Sequence, residues 1–424
     1  MPEVREAGAP STSGAESPRF WLDAVRAEEL LARHGSPLYV YNAEGVRERY
    51  RAFKAAFPYE PLDLHYAIVC NKNLYLVREL FALGAGVHAN TPGDAFAALA
   101  AGVPEERIVY SGTNLNAADF EFLAAHKVGM NLDSLDQLRD WAGRAKGLPA
   151  PLAGKGRDLG LRFLIDDEGR GNRIGVTLGE LGEAVTLARA AGLSLSGLHM
   201  YVATNNNSAE RFLACFKRLL EASAQIPDLE YLNLGGGYGV GYREGQSELD
   251  LSSIGAEVAR EMESLSTRRG RKVRLILEPG RTLVASAGAL LLTVVAVKER
   301  GGRRFVGVDS TVGNIVVEDV YYPHHRVAVL NPRGARLEIP TDLCGNTTHS
   351  RDFLGRGLHL PALAPGDRLV LCDVGAYGYA MSSHFLNRPR PAEVVLDGRD
   401  AHLTTRRESF DDLLATQTRQ AGAP

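Results

Sequence analysis

From residue 62 to residue 278, short apolar runs alternate with longer stretches whose apolar residues recur every three to four positions. That alternation predicts strand–helix units in a parallel sheet. The runs expected to be strands are LDLHYAIV (62–69), AGVHAN (85–90), RIVYS (107–111), VGMNLD (128–133), DLGLRFLI (158–165), LSLSGLHMYV (193–202), LEYLNLG (229–235) and VRLILE (273–278). Between them lie amphipathic segments such as NLYLVRELFALG, LDQLRDWAGRA and SAERFLACFKRLLEASAQ. Eight strands over ~220 residues fit a closed (β/α)8 TIM barrel better than a doubly wound sheet, because such barrels run about 250 residues. After residue 286 the pattern changes. ALLLTVVAVKE, RFVGVDS, RVAVL, RLEIP, RLVLCDV and AEVVLDG alternate with turns, which predicts a C-terminal β domain.

The expected organisation is a tail over 1–17, a segment over 18–44 whose PLYVYN run (37–42) joins the β domain, the barrel over 45–285, the β domain over 286–410 and a second tail over 411–424. The chain of 424 residues is 45% hydrophobic and 23% charged, enough for a large folded core. A formal net charge of -3 gives no electrostatic footing for nucleic acid or an anionic membrane. The N-terminus lacks the apolar core of a signal peptide, and no apolar run is long enough to span a bilayer. Cys70, Cys215, Cys344 and Cys372 are far apart and form no zinc or disulfide spacing, so no metal is expected and a reducing cytoplasm is the simplest setting.

In this barrel class, chemistry gathers at the C-terminal strand ends. Here those ends carry Val69-Cys70-Asn71-Lys72, His88, His199 and Tyr201, the triple glycine Gly235-Gly236-Gly237, and Glu278-Pro279-Gly280-Arg281. LNLGGGYGVGY (232–242) offers bare backbone N–H groups to a phosphate, or reads as an ordinary glycine turn. The carboxylate and guanidinium of Glu278 and Arg281 could hold a ring nitrogen and a phosphate, or form a structural ion pair. GAYGYAMSSHFLNRPRPAEVVLDG (375–398) is long and polar for a plain linker.

Taken together, Glu278-Pro279-Gly280-Arg281, the triple glycine, and Gly375-Ala376-Tyr377 with SS-x3-NRPRPAEV resemble the diaminopimelate, ornithine and arginine decarboxylases, which are fold-type III pyridoxal-phosphate enzymes. PLYVYNAEGVRERYRAF, Asn71 and Asn73, NLDSLDQL, LRF with NRIGV, and FVGVDSTVGN extend the resemblance over about residues 36 to 398. It implies an alanine-racemase-like barrel with a C-terminal β domain. It also implies that Glu278 faces the cofactor pyridine nitrogen, that Gly235, Gly236, Gly237, Gly280, Arg281 and Tyr377 surround its phosphate, and that Arg162 lies near its ring hydroxyl. Thr204 keeps a hydroxyl where the family has the serine of HIGS. Cys344 is expected to enter the site from the neighbouring subunit of a homodimer, with Asp352 beside it as a substrate contact.

Several positions depart from the resembled pattern. Where the family reads roughly YAVKANxN, this chain reads Tyr66-Ala67-Ile68-Val69-Cys70-Asn71-Lys72-Asn73, with Val69 at the lysine position. A valine cannot form a Schiff base. Tyr201 stands for the ring-stacking histidine, His88 for an acidic residue, and the CESGD motif becomes Cys344-Gly-Asn-Thr-Thr-His-Ser-Arg-Asp352. Lys72 is a candidate for a migrated lysine, or a solvated helix start. His88, His199 and His349 are candidate acids or bases, or structural histidines. The expected function is decarboxylation of an amino acid or amino-acid-like carboxylate other than diaminopimelate, in specialised biosynthesis, with Cys344, Lys72, Tyr201 and His88 as candidate catalytic groups. The alternatives are a cofactor-free enzyme that reuses the pocket, and a non-catalytic binding or scaffold protein. In the first reading pyridoxal phosphate is held without a covalent bond unless Lys72 supplies the Schiff base; the cofactor-free enzyme lacks it, and the scaffold retains the dimer, with or without the cofactor pocket.

Overall fold

The structure, a computed structural model, describes residues 21–149, 158–165, 173–242, 245–315 and 325–418. The expected tail over 1–17, the end of the second tail and Asn172 of the NRIGV motif lie outside these residues. A first strand, β1 (Leu38–Asn42), precedes the barrel. The barrel strands then follow as β2 (Leu62–Ala67), β3 (Gly86–Ala89), β4 (Ile108–Tyr110), β5 (Gly129–Leu132), β6 (Leu159–Arg162), β7 (Gly197–His199), β8 (Tyr231–Asn233) and β9 (Arg274–Leu277). They pair in parallel, each with the next, and β9 closes on β2. All eight runs read from the sequence are present, trimmed at their ends. Both faces of these strands are covered, by the barrel interior and by the surrounding helices, so they read as continuous apolar runs.

Side-chain caps set where the helices start. Asn73, Thr91, Asn116, Ser134, Ser208 and Asp250 each accept from a backbone N–H in the first turn of the helix that follows. Each cap follows a barrel strand, so the strand-to-helix loops begin at the C-terminal rim.

The remaining strands are β10 (Gly288–Arg300), β11 (Arg303–Val308), β12 (Val327–Val329), β13 (Thr341–Cys344), β14 (Phe353–Leu358), β15 (Arg368–Cys372), β16 (Ala392–Asp397) and β17 (Asp400–Thr405). With β1 they form a nine-stranded sheet among the described residues, in which β1 lies antiparallel to β10 and parallel to β16. RLEIP is not a strand, contrary to the expectation from its composition. Leu337 makes a single backbone bond to Leu360, and Pro340 has no N–H to extend a ladder, so pairing starts at Thr341. Phe410–Leu413 form a short helix with a Ser409–Asp412 capping box where the sequence suggested a tail.

The sheet meets the barrel rim at the loop after β2. Tyr377 N donates to Cys70 O at 2.7 Å, Asn71 Nδ2 to Gly375 O at 2.9 Å, and Asn73 Nδ2 to Thr404 Oγ1 at 2.8 Å. These bonds hold residues 70–73 against the sheet.

Candidate functional site

The chemistry of the rim begins with Glu278, which follows β9 and is 2% exposed. Asn233, the last residue of β8, donates from Nδ2 to Glu278 Oε1 at 2.7 Å, while His199 Nε2 at the end of β7 lies 3.1 Å from Oε2. His88 Nε2 on β3 is 3.5 Å from the same oxygen. Burial pushes this carboxyl up, but the two histidines and the hydrogen bonds from His199 and Asn233 outweigh it and hold Glu278 well below the usual carboxylate range. The group is a buried carboxylate supported by Asn233 and the two histidines.

Asn233 also shapes the adjacent turn. Its Oδ1 accepts from Gly235 N at 2.9 Å, and Gly235 O accepts from Glu278 N at 2.8 Å. Gly235 and Gly237 have φ of +66° and +91°, and a Cβ on either would sit 2.0 Å from Met200 O or 2.1 Å from Ala203 O. No other residue type fits those two positions. Gly236 lies against the Glu278 carbonyl, and Gly280 packs on Ala67 and Cys70, which lets the Glu278–Arg281 turn close onto the end of β2.

Arg281 is buried, donates from Nη1 to Tyr242 Oη at 2.7 Å, and lies 4.6 Å from the centroid of the Tyr377 ring. Tyr377 itself is left-handed, with φ of 63°. Arg162, the last residue of β6, lies 5.4 Å over the Tyr201 ring, and Tyr201 Oη is 2.9 Å from Thr204 Oγ1.

The structure therefore brings together Gly235, Gly236, Gly237, Glu278, Gly280, Arg281 and Tyr377 on one arc, and Arg162, Tyr201, Thr204 and His88 at the same rim. It adds Asn233 and Tyr242. Asn233 was legible as an inward polar residue in an apolar strand, and Tyr242 as the last aromatic of the glycine-rich motif. His88 is 7% exposed, neither ring nitrogen has a hydrogen-bond partner among the described residues, and burial pushes its pKa down. Its ring runs nearly parallel to that of His199, 6.3 Å away.

Val69 sits in the turn Ile68–Cys70 between two fully buried neighbours and is itself 39% exposed. Lys72 is exposed and stands between buried Asn71 and Asn73. Cys344 ends β13 and Asp352 precedes β14, and neither makes a hydrogen bond or ion pair to the rim group among the described residues. Cys344 Sγ is 3.6 Å from Asp342 O, and burial pushes its thiol up. Asp352 is buried and accepts from Thr311 Oγ1, Val312 N, Thr347 N and Thr347 Oγ1, so within this chain its carboxylate organises the loop from 344 to 352. His349 packs edge-on against Phe385.

A closed parallel barrel carrying this arrangement at its C-terminal rim defines a class, and the comparisons agree. Residues 43–285 match the model for the pyridoxal binding domain of pyridoxal-dependent decarboxylases, and the chain belongs to that family of carboxy-lyases, whose cofactor is pyridoxal phosphate. Over nearly its full length it is similar to diaminopimelate decarboxylases. That of Methanothermobacter thermautotrophicus is 30% identical over 93% of this chain and 95% of its own. That of Pseudomonas aeruginosa is 32% identical over 94% and 97%. The solved diaminopimelate decarboxylase of Helicobacter pylori in complex with L-lysine superposes with a TM-score of 0.83, at 26% identity over 92% of this chain and 98% of that one.

The residues present fit the cofactor. Glu278 is a carboxylate that could face a pyridine nitrogen, the glycine turn lies beside it, and the buried Arg281 guanidinium lies at the same rim. The Nδ1 atoms of His88 and His199 are buried polar atoms with no hydrogen-bond partner among the described residues.

Proposed function

We propose that this protein decarboxylates an amino acid or amino-acid-like carboxylate other than diaminopimelate, in specialised biosynthesis, with pyridoxal phosphate held by noncovalent contacts. The observation that carries the reading is Glu278, a carboxylate kept ionised in a nearly closed space by Asn233 and His199. A carboxylate held ionised at this rim suits a cationic partner that arrives with the ligand. When bound, the cofactor supplies the sink for the electron pair left at the substrate's α-carbon as carbon dioxide departs.

The chain's own residues have separable duties. Gly235, Gly236, Gly237, Gly280, Arg281 and Tyr377 bind the phosphate; Glu278 orients the ring and keeps its nitrogen protonated; Tyr201, carried on Arg162 and Thr204, covers a ring face. Val69 supports noncovalent retention, because an exposed aliphatic side chain at this rim can pack on a ligand but cannot bond to it. The loop from Cys344 to Asp352 supports a different substrate side chain, since its ordered turn is built around Asp352 and differs from the CESGD pattern. The same loop is proposed to complete the site of a second copy in a homodimer. No helix among the described residues is long and apolar enough to cross a membrane, and the four cysteines are free thiols, which supports a cytoplasmic setting.

The test combines two measurements on purified protein. Equilibrium titration with pyridoxal phosphate should show saturable binding that borohydride does not make permanent. Carbon dioxide release should then be followed over a panel of amino acids that includes diaminopimelate, lysine, ornithine and arginine. Binding with turnover of an amino acid other than diaminopimelate is the expected result. Turnover of diaminopimelate above all others would overturn the substrate reading, and a protein that binds no cofactor would overturn the whole of it.

A further inference from the structure

The glycine turn after β8 is gripped from the loop after β7 by one side chain. Asn205 donates from Nδ2 to Val240 O at 3.2 Å and accepts at Oδ1 from Val240 N at 3.0 Å, so both backbone polar groups of Val240 are satisfied by a single amide. The next residue continues the seam: Asn206 N donates to Gly237 O at 2.8 Å, and Asn206 O accepts from Gly239 N at 2.9 Å. Asn207 Nδ2 then donates to Ser247 O at 2.7 Å. Asn205 has φ of 50°, a left-handed conformation that asparagine tolerates better than other residues with a side chain. Asparagine also carries a donor and an acceptor at one tip, which the Val240 contact requires.

The clamp sits between the two walls of the phosphate cradle. On one side of Val240 lie Gly235, Gly236 and Gly237. On the other lies Tyr242, buried, whose hydroxyl takes the Arg281 hydrogen bond at 2.7 Å. Thr204, whose hydroxyl faces the same rim, directly precedes Asn205 in the chain.

We infer that Asn205 is a positioning residue for the cofactor phosphate: by locking the loop after β7 onto residue 240 it fixes the glycine turn and, through Tyr242, the Arg281 guanidinium. The inference rests on the cofactor reading above. Where no covalent bond retains the cofactor, affinity depends on how little ordering the cradle must undergo on binding, which is what such a clamp supplies.

The experiment compares pyridoxal phosphate with pyridoxal, its unphosphorylated form, on the full-length protein. Dissociation constants for both are measured for wild type, Asn205→Gly and Asn205→Asp, alongside thermal melting. Asn205→Gly keeps the left-handed backbone and removes both bonds. It should weaken pyridoxal phosphate about tenfold, the worth of two neutral hydrogen bonds, and pyridoxal less than about twofold. Asn205→Asp keeps the acceptor for Val240 N and should fall between, which also gives a reading if the glycine variant folds poorly. Equal weakening of both ligands, or no change in either, would overturn the inference. Failure of the cofactor reading is distinguishable, because it would appear already as absent binding in the wild type.

Discussion

The two ends of the barrel both carry charge, and they treat it differently. At the N-terminal end, Arg274 pairs with Asp158 at 2.5 Å and with Asp63 at 3.4 Å, and Arg107 lies 3.5 Å from Asp63. Cation meets anion within the protein, and the cluster is complete. At the C-terminal rim, Glu278 is held by an asparagine and an imidazole, Arg281 donates to a phenol, and Arg162 lies over an aromatic ring. We propose that this charge is arranged for a ligand rather than for a partner at the other end of the barrel. On this reading the first end serves stability and the second serves binding.

If that contrast holds, removing a charge at the rim should cost binding, whereas removing one at the other end should cost stability. The largest effect is expected for Glu278→Ala. Loss of the pyridine partner should reduce turnover on the order of 1,000-fold and weaken cofactor binding. Turnover and affinity close to wild type would show that the ring does not sit there.

The second test is pH. His65, on β2, is fully buried, and burial pushes its pKa down to about 4, against the opposing fields of Asp63 below and Glu278 above. The unfolded chain takes up this proton near pH 6.5 and the folded one near 4, so the stability tied to it is complete above pH 6.5 and is lost as pH falls through 4. The loss should reach about 3 kcal/mol at most. Urea denaturation at pH 7 and pH 4.5 should show it in wild type and a smaller drop in His65→Gln; identical drops would remove His65 as the cause.

A smaller effect is expected at the opposite end. Arg274→Met should destabilise by about 1–2 kcal/mol, less than for a fully buried ion pair because the side chain is about a third exposed. Cofactor affinity should stay within about twofold, as expected for a change confined to the far end of the barrel. A variant that loses cofactor but not stability would erase the distinction between the ends.

Much of this was legible in the sequence, and the reasons are physical. The eight barrel strands are short apolar runs bounded by capping residues, and that pattern survives without any three-dimensional information. Glu278, Arg281 and the triple glycine could be read because their residue types are specific in combination. Asn205 could not, since it acts through a partner on another loop and its residue type is not unusual where it stands. RLEIP misled because apolar content says nothing of whether a partner edge is present. The loop from Cys344 to Asp352 gave its residues but not their roles: only the structure shows all of Asp352's bonds turned inward.

The smallest effect is expected for Lys72, and it decides how the cofactor is retained. Lys72 lies three residues beyond Val69, between two asparagines that bind Gly375 O and Thr404 Oγ1. Those bonds pin the backbone on both sides of it, and the lysine between them is exposed. An exposed lysine held in that way is a solvated surface group. Lys72→Ala should therefore leave cofactor affinity and turnover within about twofold, and borohydride treatment of the wild type should leave no cofactor on any peptide containing Lys72. Val69→Lys is the control that gives this null result meaning. With Glu278, Arg281 and Tyr377 in place, an amine at that position should capture the cofactor covalently and give the protein a visible absorbance that borohydride discharges. A Lys72→Ala variant that loses both cofactor and turnover would mean that the segment from 70 to 73 rearranges on binding, and the noncovalent reading would fall with it.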